Sequence, residues 1–297
     1  MILIPATAAT TNLRFSGLIK HSLCPKRPLQ LCLSTLKLFR MSVPLALDNR
    51  VALITGGSRG IGAATVRLFT KAGARVVFNY QKTKSQAEQL AQEFGENCMA
   101  VQCDLTGTRS GADLVAATVK RFGRLDILVA NHGVWPADDQ PIDKMPDEQW
   151  LNTISVNLNA VFVLIKHSVA QMKKQERKGP THIVLVSSTS GQRGEAFHVD
   201  YSASKGALIS MVKSLSSELI HDGIYVNSVA PGWVDTDMSE PALTDPKTRQ
   251  AIFNTIPMGR VATPEEIAGP ILFLCTEYAS FISGEIFNVN GGAVLVG

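Results

Sequence analysis

The sequence predicts one α/β domain, a doubly wound parallel sheet of about seven strands with helices on both faces. Three observations carry that expectation. Short, nearly continuous apolar runs alternate with longer amphipathic stretches from Asp48 onward, as strands buried on both faces do. The first run opens into a glycine-rich turn and then into helical periodicity. No repeat or low-complexity linker divides the 297 residues, and a seventh strand candidate lies close to the last of them, which favours one closed domain over two.

In chain order the strand candidates are Val51–Thr55, Arg75–Asn79, Met99–Cys103, Asp126–Ala130, His182–Ser187, Ile224–Ser228 and Glu285–Val289. Amphipathic stretches lie between them, among them Ile61–Ala72, Ser85–Phe94 and Ser110–Phe122, and Asp200–Ile220 reads as a long helix. Glu240–Asp245, with two prolines, is expected to be mobile.

Composition assigns 45% of residues to hydrophobic types and 18% to charged ones, enough to bury a sizeable core. The formal charge of +4 is unevenly spread. Six basic groups (Arg14, Lys20, Lys26, Arg27, Lys37, Arg40) and no acid fall within residues 1–47. Without those six, the 29 Lys and Arg no longer outnumber the 25 Asp and Glu, so the basic balance gives no reason to expect nucleic-acid binding. Cys24, Cys32, Cys98, Cys103 and Cys275 are odd in number and match no zinc spacing, so no metal site is expected. No apolar run reaches the roughly 18 residues of a membrane span. The best, Leu29–Phe39, is interrupted by polar residues.

Residues 1–47 are read as a leader outside the fold and 48–297 as the domain. Residues 1–40, rich in Ser, Thr, Leu and basic groups, have the composition of an organelle transit peptide. Of two rival readings, a secretory signal is disfavoured because no compact basic-then-apolar order leads to a small-residue cleavage site, and the other starts translation at Met41, just before the domain. The domain is accordingly expected to be a soluble protein, plastid or mitochondrial with a transit peptide and cytoplasmic with a start at Met41.

The turn after the first strand reads Thr55-Gly56-Gly57-Ser58-Arg59-Gly60-Ile61-Gly62. Glycines there let the backbone approach a pyrophosphate, and the helix that follows offers free N–H groups and a positive dipole end. An acid closing the second strand would bind a ribose 2′-hydroxyl and repel a 2′-phosphate. Asn79 and Tyr80 stand there instead, Arg59 lies in the loop, and Lys82 and Lys84 follow, so NADP (as NADPH) is expected rather than NAD. The alternative leaves Arg59 solvated and the site open to both. Asp104, before Leu105, is placed to meet the adenine amino group or else to cap the next turn. Ala130-Asn131-His132-Gly133 is a small-residue loop along which the cofactor would pass.

Tyr201 and Lys205 are four residues apart on the long helix and share a face. A nearby ammonium is expected to lower the phenol pKa, and a phenol so tuned can protonate a carbonyl oxygen as a hydride reaches carbon. Ser188 follows the fifth strand, at the sheet edge where ligands bind, and can hydrogen-bond the same oxygen. A Tyr-x-x-x-Lys pair alone reads as helix surface. Ser188, the glycine loop and Asn79 in register with it give it weight.

Together these motifs resemble the short-chain dehydrogenase/reductase family across residues 48–297: the glycine loop at 55–62, Cys103-Asp104-Leu105, the loop at 130–133, Ser188 thirteen residues before Tyr201, and Pro231 to Thr236. The resemblance implies a Rossmann-type single domain with Asn157, Ser188, Tyr201 and Lys205 as the catalytic set. It adds Asn157 as the holder of a proton-relay water, and Lys205 as a second hold on the nicotinamide ribose. It implies cofactor contacts at Gly56, Ser58, Arg59, Gly60, Ile61, Gly62, Asn79, Tyr80, Asp104, Leu105, Asn131, Gly133, Tyr201 and Lys205. Pro231, Gly232, Val234 and Thr236 would border the nicotinamide, and Met238–Ile256 would form a substrate lid. It also implies a homotetramer. The family's usual Asn-Asn-Ala-Gly loop is altered here to Ala130-Asn131-His132-Gly133, which changes its packing.

Within that family the closest look is to 3-oxoacyl-carrier-protein reductases, which implies NADPH-dependent reduction of 3-oxoacyl thioesters in fatty acid biosynthesis, with an acyl carrier protein as candidate partner. The active-site helix ends in His221-Asp222-Gly223, with an acid where such a partner needs bases. The basic cluster Lys173, Lys174, Arg177 and Lys178 reads better as a solvated helix end. Glu195, Phe197 and His198 are expected to face the substrate and suit a polar one, so a reductase of a sugar, aldehyde or ketone stays open beside the thioester enzyme. The third reading is a nucleotide-binding sensor without turnover, against which the complete Asn–Ser–Tyr–Lys set argues.

Overall fold

The computed structural model describes residues 44–296. The transit-peptide candidate, residues 1–40, and Met41 lie outside them. Seven strands form one parallel sheet in the order β3-β2-β1-β4-β5-β6-β7. They are β1 (Val51–Ile54), β2 (Arg75–Tyr80), β3 (Cys98–Gln102), β4 (Ile127–Ala130), β5 (Thr181–Val186), β6 (Ile224–Pro231) and β7 (Ile286–Val289). The order reverses between β1 and β4, so the connections leaving these strands part and open a crevice at their C-terminal ends.

Alternation along β1 shows how one strand serves two faces. Ala52 and Ile54 join a core with Val66 and Phe69 of α1 (Gly60–Lys71) and Ile267 and Ile271 of α10 (Pro264–Phe273). Leu53 points the other way, into a core with Leu114 of α3 (Ser110–Phe122), Leu164 of α5 (Ala160–Lys174) and Leu208 of α7 (Val199–Leu219). Both strand faces are buried, which is why the strands read as unbroken apolar runs.

α4 (Asp147–Ile154), a π turn at Ser155–Asn159 and α5 follow one another without a break. The resulting stretch, Asp147–Lys174, is long and apolar enough by composition to cross a membrane, which the interrupted sequence pattern does not suggest. Its Val161, Leu164 and Ile165 are instead packed in the core beneath the sheet. Glu240–Asp245, expected to be mobile, contains the short helix α8 (Glu240–Thr244), with α9 (Pro246–Asn254) after it. α2 (Lys84–Phe94) and α6 (Thr189–Arg193) complete the helices. The described domain takes in residues that the sequence assigns to the leader: Leu47 is buried in the core and its N–H donates to the Ala72 carbonyl at 2.7 Å.

At the opposite sheet edge Asp126 is buried. It accepts the Val51 N–H at 2.9 Å and a two-pronged pair from Arg124, Nη2 to Oδ1 at 2.7 Å and Nε to Oδ2 at 2.9 Å. Removing this carboxylate strands a partly buried guanidinium and an inward N–H together. Asp126→Ala is therefore expected to destabilise the domain by about 3–5 kcal/mol, read as a lower urea midpoint with an unchanged slope.

Candidate active site

A single cavity of about 420 Å³ runs along the C-terminal ends of the strands, from the glycine loop to the start of α7. Gly56 and Gly60 have φ of +63° and +52°, which lets the loop double back. A Cβ on Gly62 would lie 2.0 Å from the Gly56 carbonyl oxygen, so the start of α1 fits against the loop only without one. Arg59 caps α1 with extended backbone and without a side-chain hydrogen bond to the first turn, leaving that end of the helix to a ligand. A glycine-lined helix N-terminus at a sheet switch point fits the diphosphate of a dinucleotide, with Gly60, Ile61 and Gly62 lining the cavity there.

Several expected cofactor contacts line the cavity while holding one another. Asn79 is buried, accepts the Gly56 N–H on Oδ1 at 2.9 Å, and donates from Nδ2 to the Cys103 carbonyl at 3.0 Å. Its side chain thus shapes the loop as well as omitting the acid. Asp104 accepts from the Thr106 N–H at 3.0 Å and hydroxyl at 2.8 Å, the turn role the sequence left open, and these bonds lower its pKa. Asn131 donates from Nδ2 to the Thr55 carbonyl at 2.9 Å. Arg59 pairs with Asp237 at 3.1 Å, both exposed, and Ser58 meets Thr83 hydroxyl to hydroxyl at 2.6 Å. Tyr80, Leu105, Gly133, Pro231, Gly232, Val234 and Thr236 also line the cavity.

The four residues assigned to catalysis converge from three elements: the start of α6, the π turn and α7, which carries both Tyr201 and Lys205. Ser188 caps α6, its Oγ accepting the Ser190 N–H at 3.1 Å. Asn157, in the π turn, is fully buried. It exchanges hydrogen bonds with Val134, N–H to Oδ1 at 2.8 Å and Nδ2 to carbonyl at 2.9 Å, and donates to Ser204 Oγ of α7 at 3.1 Å. Lys205 is buried, and its Nζ donates to the Val186 carbonyl at 2.8 Å. That ammonium lies 5.8 Å from the Tyr201 ring centre.

Burial sets the electrostatics here. It lowers the Lys205 pKa to about 8. The expected depression of Tyr201 is not found. Desolvation, with the Glu195 carboxylate adding to it, pushes the phenol up to about 12 against the opposing pull of the Ser188 hydroxyl. Desolvation of the phenol is the largest influence on it, and the Lys205 ammonium, 5.8 Å from the ring centre with one of its N–H groups given to Val186, does not reverse it.

The substrate end differs from expectation. Glu195 lines it, but His198 is buried behind Trp135, whose ring it stacks on at 5.0 Å, and Phe197 stands outside at φ +67°. Trp135, Trp233 and Arg193 line the cavity instead, the two indoles meeting edge to face at 5.8 Å. The sequence reading missed Trp135 and Arg193 as wall residues. Their places just after Gly133 and before Glu195, on loops at the C-terminal sheet edge, were the available signal.

The chain belongs to the short-chain dehydrogenase/reductase family, whose members are oxidoreductases that use a nicotinamide cofactor. Residues 56–294 match the family model described as enoyl-(acyl carrier protein) reductase. A 3-oxoacyl-[acyl-carrier-protein] reductase of Synechocystis sp. is 36% identical over 254 residues, covering 84% of this chain and 99% of the relative. An L-rhamnose 1-dehydrogenase (NAD(P)(+)) of Azotobacter vinelandii is likewise 36% identical over 254 residues, with 84% and 98% covered. Among solved structures, a 3-ketoacyl-(acyl-carrier-protein) reductase from Brucella melitensis complexed with NADH superposes with a TM-score of 0.77 at 31% identity, covering 84% of this chain and all of that one.

Gly62→Ala tests the cradle. The added methyl must displace the Gly56 carbonyl, and binding of the nicotinamide cofactor, followed by fluorescence titration with NADH and with NADPH, is expected to weaken about tenfold or more, the equivalent of ~1.4 kcal/mol.

Proposed function

We propose that this chain is an NADPH-dependent carbonyl reductase that converts 3-oxoacyl thioesters to 3-hydroxyacyl thioesters. The observation that carries the reading is one continuous cavity holding a dinucleotide cradle at one end and Ser188, Tyr201 and Glu195 at the other, with Lys205 buried in its wall. When bound, the dihydronicotinamide supplies a hydride to the carbonyl carbon. Ser188 hydrogen-bonds the carbonyl oxygen. Tyr201, a phenol and so protonated at neutral pH, gives that oxygen its proton, so that the carbonyl ends as an alcohol. Lys205 offers a charge beside the phenolate that remains, and Asn157 fixes α7 through Ser204.

Tyr80 in place of an acid, with Lys82 and Thr83 on the cavity wall, supports NADPH over NADH. Arg59 would have to leave Asp237 to meet a 2′-phosphate. Thioester specificity draws on the carrier-protein reductases among the relatives. Docking of an acyl carrier protein draws little support from the basic cluster, because Lys173 and Arg177 are paired with Asp222 at 2.6 and 3.9 Å. A homotetramer is proposed on family grounds, supported by exposed Leu151 of α4 and Phe162 of α5.

A second reading, a reductase of a compact polar carbonyl such as a sugar, is favoured by the Trp135–Trp233 wall with Arg193 and Glu195 beside it, and by the similar rhamnose dehydrogenase. The deciding experiment follows NADPH and NADH oxidation by residues 41–297 with acetoacetyl thioester and with a panel of ketones, aldehydes and sugars. The expected result is turnover of the thioester, faster with NADPH, and a loss of about 10²–10⁴-fold in Tyr201→Phe. Turnover confined to the polar panel moves the function to the second reading. Full activity in Tyr201→Phe contradicts both.

A further inference from the structure

The imidazole of His132 takes no part in the reduction described above, yet it joins two elements that carry different halves of the site. Nδ1 lies 2.8 Å from Thr55 Oγ1, at the end of β1, and Nε2 lies 3.1 Å from the Val156 carbonyl oxygen in the π turn. The proton positions follow from the partners. Thr55 Oγ1 already accepts N–H bonds from Asn131 at 3.0 Å and from His132 at 3.3 Å. Its own proton is best given to Nδ1, since the alternative, the Val129 carbonyl, is 3.4 Å away. Nε2 then bears the ring proton and donates it to Val156.

Both nitrogens are satisfied only by a neutral ring. Burial, and then the charge of Lys205, hold the His132 pKa down to about 4. Val156 is followed by Asn157, whose side chain clasps Val134 and Ser204. π turns interrupt the regular ladder of a helix, are rare, and occur mostly as single turns, frequently at functional sites.

We propose that His132 is a positioning residue, a strut that ties the Val156 carbonyl to the Thr55 hydroxyl and so sets the π turn bearing Asn157 against the glycine loop. The cofactor cradle and the helix that presents Tyr201 and Lys205 are thereby registered through one side chain, by way of Asn157 and Ser204.

Two substitutions separate the two bonds. His132→Gln keeps a donor long enough to reach Val156. His132→Asn keeps only an acceptor near Thr55, and His132→Ala keeps neither. Amide hydrogen exchange is measured across residues 155–160 and at Val134 in the cofactor-free full chain, beside kcat, KM and NADPH affinity. In the Asn and Ala variants exchange at these amides is expected to quicken about tenfold, the worth of roughly one hydrogen bond. In the same two variants kcat is expected to fall by a similar factor, with KM and NADPH affinity within about twofold of wild type. His132→Gln should stay close to wild type in both respects.

The kinetic arm rests on the reductase reading, whereas exchange does not. A wild type that reduces no carbonyl defeats the function and leaves the strut to be decided by exchange. Gln no better than Asn, unchanged exchange in folded His132→Ala, or faster exchange with full kcat in an active enzyme each overturns the proposal. If His132→Ala fails to fold, the Gln–Asn comparison alone decides.

Discussion

The buried ammonium of Lys205 is the constraint around which the site is arranged. It sits with almost no exposure, its Nζ bonded to the carbonyl that ends β5. A charge so placed demands room and partners. Gly133 leaves the room, since a Cβ there would stand 3.3 Å from Nζ and 3.2 Å from Asn157 Oδ1. Gly191 allows α6 to close on α7, where a Cβ would come within 2.6 Å of the Lys205 carbonyl carbon. Ser187 anchors the same backbone by donating to the Lys205 carbonyl at 2.8 Å. The sign of the energetic effect is clear. The pKa drops on folding from 10.5 to about 8, so the unfolded chain binds the proton more tightly between those values. Stability therefore rises with pH through that window, and charged Lys205 costs the folded state on the order of 3 kcal/mol at neutral pH. A fold that retains such a cost at the head of its cavity is arranged for chemistry rather than for stability alone.

The rest of the site is fixed by short polar links between strand ends. Asn79 joins β2 to the glycine loop and to the chain leaving β3. Thr55 and Asn131 join β1 to β4. Asn157 joins the π turn to the loop after β4 and to α7. Each of these strands ends at the same edge because the sheet is parallel, and the reversal of order between β1 and β4 keeps that edge open. The glycine loop and the helix that presents Tyr201 and Lys205 are consequently parts of one framework, as an oxidoreductase needs when donor and acceptor must meet within contact distance.

Much of this was legible in the sequence because parallel strands leave strong marks. The buried runs at Val51–Ile54 and Ile127–Ala130, the glycines at 56, 60 and 62, and the spacing of Tyr201 and Lys205 all depend on local pattern. What was not legible depends on burial and on partners distant in the chain. Helix spacing makes Tyr201 and Lys205 neighbours, but it gives no sign of the burial that raises the phenol or of the Lys205 bond to Val186. The absence of an acid at Asn79 points to cofactor preference in the sequence, while nothing local shows that its side chain also props the loop. The position of His198 in the chain suggests access to substrate, but Trp135 covers it, a contact between residues 63 positions apart. Leu47, beside the leader, is a core residue because it pairs with Ala72 at the end of α1.

The most direct measurement is the titration of the Lys205 side chain by NMR in the cofactor-free enzyme, with Lys205→Met used to assign the signal. The burial described here predicts a midpoint at about 8. A midpoint in the ordinary lysine range, near ~10.4, would mean that the ammonium is solvated and that the site is not organised around a buried charge.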